Sequence, residues 1–200
     1  MKEEHISFYS HHLDRSIEML VFGHWGYPIV LFPTTLSRYY QAKDFGLLES
    51  VRPMIESGQF KIYCIDSIDS DSWYAKHLHP SHRVLNYIQY DKFVSQELVP
   101  QIATSCNVDK IGVAGCSFGG YHAINFAFRH PDQVAYALSM SGAFDIRSFM
   151  NGYYDDNVYF NNPVDYMQHE EGWRFNHLKI ALGTSEWDIC LQDNLTLSRI

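Results

Sequence analysis

Between Lys110 and Arg129 the chain passes from an apolar strand, Lys110-Ile111-Gly112-Val113-Ala114, through Gly115-Cys116-Ser117-Phe118-Gly119-Gly120 into a helix. A serine on so abrupt a strand-to-helix turn needs small neighbours, because the two backbones approach closely there. The pattern G-x-S-x-G alone says little. With glycine and serine each at about 7% of residues, roughly one chain of this length in fifteen carries it by chance. The flanking strand and helix are what make it a candidate nucleophile elbow with Ser117 as nucleophile; an ordinary serine in a glycine-rich turn is the bland alternative.

The remaining chain supplies the surroundings that such an elbow requires. Residues 5–12 and 17–22 read as two strands joined by the polar turn Leu13-Asp14-Arg15. Tyr27–Phe32 is a short apolar run of the kind buried on both faces, and 60–65 is the next strand. Between them Phe45, Leu48, Val51 and Ile55 stand at helical spacing, with Gly58 as a stop. A long helix is predicted from about Ser81, carrying Leu85, Ile88, Val94, Leu98 and Ile102, with Pro100 kinking or dividing it. Strands at 134–139 and 179–182 flank an irregular segment, 143–173, rich in Tyr, Asn and Asp. This alternation predicts an α/β fold: a mostly parallel sheet, helices on both faces and an N-terminal antiparallel hairpin. Two hundred residues, 46% of them hydrophobic, suffice for one core and one domain spanning 1–200.

Charge and cysteine usage narrow the partners. The net charge of −8, with no run of five like charges, argues against a nucleic-acid partner, which needs a concentrated basic face. No stretch approaches the ~18–20 apolar residues of a membrane span, and the charged N-terminus Met1-Lys2-Glu3-Glu4-His5 lacks a signal-peptide core. Cys64, Cys106, Cys116 and Cys190 are scattered, which fits reduced thiols and a cytoplasmic setting better than disulfides or zinc. No histidine pair shows HExxH spacing, so a metal-dependent hydrolase is not indicated.

A serine nucleophile needs a histidine to take its proton and a carboxylate to orient that histidine, in the chain order Ser, acid, His. Asp188 follows the 179–182 strand and is the first candidate acid. Asp145, after the 134–139 strand, and Glu186 are the others, each also readable as a solvated loop carboxylate or helix cap. No histidine follows Asp188; the last is His177. His122, on the helix leaving the elbow, reads as a packed or surface residue, because the base must lie above Ser117. The oxyanion needs two backbone N–H groups. Phe118 supplies one. The loop Pro33-Thr34-Thr35-Leu36-Ser37 should supply the second, from Thr35 or Leu36, since Pro33 has no N–H.

These motifs together resemble the "putative esterase" family, the esterase-D-like branch of the α/β-hydrolases that includes formylglutathione hydrolases, feruloyl esterases and enterochelin esterases. The resemblance rests on Val30-Leu31-Phe32-Pro33-Thr34, Cys64-Ile65-Asp66-Ser67 followed by Ser72-Trp73-Tyr74, and the elbow. His130-Pro131-Asp132 and Ser141-Gly142-Ala143-Phe144-Asp145 extend it over nearly the whole chain. It implies hydrolysis of small-molecule esters through an acyl-enzyme, without metal or organic cofactor, with Ser117 as nucleophile and Asp188 as triad acid. Trp73 and Tyr74 are candidate pocket residues, a core role being the alternative. It also implies a C-terminal histidine that has no counterpart here. The expectation is that the final strand, the base-bearing loop and a closing helix are missing from an incomplete chain; the other reading is loss of the base. Two further functions stay open: an inactive binding module on this fold, and an acyltransferase using the same serine.

Overall fold

The computed structural model describes residues 1–200, and its seven strands form one sheet in the order β1-β2-β4-β3-β5-β6-β7. β1 (Glu3–Ser10) and β2 (Arg15–Phe22) make the antiparallel hairpin, Ser10 pairing with Arg15. The predicted first strand thus ends two residues early, because the turn begins at His11. β2 joins β4 (Phe60–Ile65) antiparallel, and β3 (Tyr27–Phe32) lies parallel between β4 and β5 (Ile111–Cys116). β6 (Val134–Met140) and β7 (Lys179–Gly183) continue the parallel half.

Side chains alternate across each strand, and the two faces are covered unequally. On one face Val30, Phe32, Val113 and Ala137 join the main core with residues of α4 (Pro80–Lys92), α5 (Val99–Cys106) and α6 (Phe118–Arg129). Pro100 sits in the first turn of α5. Its missing N–H cannot serve the carbonyl four residues back, and the chain widens to a π-helical turn over Phe93–Leu98.

On the other face Leu31, Ile62, Cys64 and Ala114 pack with Leu48 and Ile55, which come from the second and third of three short helices. These are α1 (Gln41–Asp44), α2 (Leu47–Ser50) and α3 (Arg52–Glu56), where helical spacing predicts one helix. Gly46 at φ +76 breaks the first from the second, and Phe45 is left 81% exposed. Beyond β3 this face carries no helix. Tyr136, Leu138 and Ile180 remain exposed there and help line a shallow apolar trough of about 660 Å³.

The irregular segment contains α7 (Asp156–Tyr159), α8 (Pro163–Tyr166) and 3-10 turns, and it sends Val158, Val164 and Tyr166 into the main core. α9 (Leu191–Leu197) docks on the loop after β6: Asn194 Nδ2 donates to the Gly142 carbonyl at 2.9 Å. No helix is long and apolar enough to cross a membrane.

Candidate active site

Ser117 stands between β5 and α6 with φ 54° and ψ −121°, a conformation that L residues avoid unless their surroundings force it. The neighbouring glycines show the force. A Cβ on Gly115 would come within 2.1 Å of the Gly119 carbonyl oxygen, and one on Gly119 within 2.5 Å of the Phe32 and Pro33 carbonyl oxygens. Strand, helix and the loop after β3 therefore meet at backbone contact. The Ser117 N–H donates to the Met140 carbonyl at 2.8 Å, which anchors the turn to the end of β6.

The loop after β3 resolves which amide can face the serine. Thr34 N–H donates to Gln41 Oε1 at 3.3 Å, and Leu36 N–H donates to Asp69 Oδ2 at 3.1 Å. Leu36 is thus spent as an oxyanion donor, which corrects that half of the expectation. Thr35 N–H, between them, meets no protein acceptor. Nor does Phe118 N–H, in the first turn of α6, where helix amides have no intrahelical partner.

Two of the three candidate acids separate on their surroundings. For Asp145, burial pushes the carboxyl up, but hydrogen bonds from Arg147 outweigh it and hold it below the ordinary value. Asp145 is a partner of Arg147 and, at 3.4 Å, of Asn162 Nδ2. Asp188 lies beyond the C-terminal end of β7. The Ser141 hydroxyl first, and then the Cys190 N–H at 2.8 Å, hold its carboxyl below the ordinary value. Glu186 is exposed.

Six of the eleven histidine rings are engaged elsewhere, His5 with Glu18. His12 meets Gln96, His79 meets Ser81, His122 meets Asp69, His130 meets Asp91 and His177 meets the Pro131 carbonyl. Of the two readings left open for His122, packed or surface, the structure has the packed one, with its side chain 2% exposed. No group of His, Cys, Asp and Glu is arranged to hold a metal ion.

Trp73 is 0% exposed, its ring 4.8 Å from that of Tyr87, so it belongs to the core and lines no open cleft. Tyr74 is half-buried and stands edge-to-face with Phe118, the ring centres 5.9 Å apart. Burial pushes its phenol up, with the neighbouring Thr35 pulling the other way. On the opposite side of the elbow an open cleft of about 540 Å³ is lined by Thr34, Phe45, Leu47 and Cys116, among others. Burial pushes the Cys116 thiol up, which keeps it protonated beside Ser117. The sequence gives no hint of Asp69: it lies in a polar loop that reads as solvated, 53 residues from His122.

The family model described as "Putative esterase" matches residues 36–193, most of the chain and all of the elbow. The chain belongs to that family. This esterase-family chain also superposes on solved hydrolases. A ferulic acid esterase matches with a TM-score of 0.76 at 16% identity, over 99% of this chain and 84% of that one. The substrate-bound fluorophosphonate-binding serine hydrolase FphF of Staphylococcus aureus matches at 0.73 and 16%, over 99% and 84%. The S-formylglutathione hydrolase FrmB of the same organism matches at 0.64 and 16%, over 99% and 85%. At such identities these likenesses establish the α/β-hydrolase fold. No curated protein matches the chain by sequence.

Proposed function

We propose that this esterase-family chain is a serine carboxylesterase acting on small-molecule esters through an acyl-enzyme on Ser117. One observation carries the reading: the left-handed Ser117 backbone at the β5–α6 junction, with the Phe118 and Thr35 amides unclaimed beside it. In the first step Ser117 Oγ bonds to the ester carbonyl carbon while its proton passes to an imidazole. The two amides take the oxyanion, and the leaving alcohol departs with that proton. Water then repeats the sequence on the acyl-enzyme and returns the serine. Asp188, ionised at neutral pH, is the group that would orient the imidazole. The groups that hydrogen-bond its carboxylate are the Cys190 N–H and the Thr184 hydroxyl, and no imidazole is among them. The four free cysteines support a reducing, cytoplasmic setting.

The absence of histidine among those partners also favours a second reading, a binding module that keeps the fold without turnover. Hydrolysis of p-nitrophenyl acetate by the folded chain, compared with Ser117→Ala, decides between them. Turnover lost in the variant supports the esterase. Equal rates for both proteins would remove Ser117 as the nucleophile and leave the binding module.

A further inference from the structure

The Asp69 carboxylate is buried, 1% exposed, and it holds two parts of the molecule at once. Oδ1 accepts from His122 Nε2 at 3.0 Å, and Oδ2 accepts from the Leu36 N–H at 3.1 Å. Its own backbone carbonyl accepts the Tyr74 N–H at 2.9 Å, which pins the loop that carries it. A carboxylate accepts hydrogen bonds and donates none, so His122 must present Nε2–H to it. His122 lies one helical turn beyond Phe118 on α6, its ring edge-on to the Phe118 ring at 4.8 Å. Leu36 takes φ +55 to aim its N–H inward, a costly conformation for leucine. That bend leaves Thr35 N–H as the free amide of the loop. One carboxylate therefore spans the two segments that carry the two proposed oxyanion donors.

His122 itself needs an explanation. It sits in an aromatic shell of Phe32, Tyr87, Tyr90, Phe118 and Tyr121, and its Nδ1 is buried without a partner. A phenylalanine would fill such a shell without an orphaned polar atom. An imidazole there is a liability unless its other nitrogen does something the ring alone cannot.

We propose that Asp69 and His122 are positioning residues of the esterase site. Their hydrogen bond fixes the Asp69 carboxylate, which fixes Leu36 and thereby aims the Thr35 amide at the Ser117 carbonyl-binding position. This inference rests on the reading of Ser117, Phe118 and Thr35 as the acyl-transfer centre.

The test compares wild type, His122→Phe and His122→Gln by two readouts. One is the rate of labelling by a fluorophosphonate, whose phosphoryl oxygen occupies the oxyanion position. The other is amide hydrogen exchange resolved over residues 34–37. Phenylalanine keeps the ring and removes the donor; glutamine restores an N–H near the Nε2 position. Displacing a donor by an ångström costs about 100-fold, so His122→Phe should label about 10- to 100-fold more slowly, with His122→Gln recovering most of the rate. Exchange at Leu36 should quicken in His122→Phe while the strands stay protected. Wild-type labelling and exchange in His122→Phe would overturn the proposal. So would faster exchange throughout the chain with no rescue by glutamine, which marks a purely structural role. If the wild type takes no label, the esterase reading falls alone. Exchange at residues 34–37 then decides the positioning claim: unchanged protection in His122→Phe overturns it, and a local loss rescued by glutamine upholds it.

Discussion

The two halves of the candidate site are built differently. The elbow half is locked: Ser117, Phe118 and Thr35 are flanked by backbone contacts, by hydrogen bonds to Gln41 and Asp69, and by the main core. The acid half hangs from β7, an edge strand exposed along most of its length. Asp188 lies between Trp187, 87% exposed, and Ile189, 99% exposed. Oxyanion donors stabilise charge only if they need no reorganisation, so that half has to be rigid before substrate arrives. In the proposed reading the acid works through a histidine, and the chain on either side of it is left open to solvent. What this contrast teaches is that close backbone packing is concentrated where charge would develop in the proposed reaction, and not where the proposed acid stands.

The contrast can be broken first at the elbow. Gly115→Ala puts a Cβ into the Gly119 carbonyl, a collision that no side-chain movement relieves. It should cost more than about 4 kcal/mol, read as the loss of a cooperative urea transition. Thr35→Pro is next. It removes an N–H that no protein group uses, and the rate of fluorophosphonate labelling should fall by about 100- to 1,000-fold. Retention of the wild-type urea midpoint would show that the loss is one of charge stabilisation.

A smaller effect concerns the two assigned carboxylates. Asp145 and Asp188 are both held below the ordinary value. The stability they contribute is fully present above the unfolded-state value of about 3.9, and it is lost as pH falls through their lower folded values. Asp145→Asn should therefore flatten the acid limb of a thermal-melting pH profile below about pH 4 and lower the melting temperature at neutral pH, where Arg147 loses its partner. An unchanged profile would refute the Arg147 assignment. The smallest effect falls in the open half. At Gly183→Ala the new Cβ meets nothing closer than 3.8 Å, so stability should change by no more than about 0.5 kcal/mol. A large loss there would mean that the acid half is as tightly built as the elbow.

Much of this was legible in the sequence where a physical constraint is local. β3 and β4 begin and end where their apolar runs do, and the elbow announces itself by its glycines. Helical spacing from Phe45 to Ile55 correctly put Leu48 and Ile55 against the sheet but missed the breaks, because Gly46 reads equally as a tolerated helix residue until its φ is known. That Arg147 occupies Asp145 was not read from the sequence, although the two stand only two residues apart. The choice between Thr35 and Leu36 was not legible. It depends on Asp69, which reaches Leu36 from a loop 33 residues away, and nothing in a polar stretch marks which carboxylate turns inward. Trp73 stood beside Tyr74 in one motif, yet adjacent loop residues point apart, one into the core and one toward Phe118.

The central claim is that Ser117 is an activated nucleophile within an intact oxyanion site. The most direct measurement is mass spectrometry of the folded chain after exposure to a fluorophosphonate, with the adduct mapped by peptide. A single adduct on Ser117, absent from Ser117→Ala, is the predicted result. A folded chain that takes no adduct, or one whose adduct persists in Ser117→Ala, would contradict it.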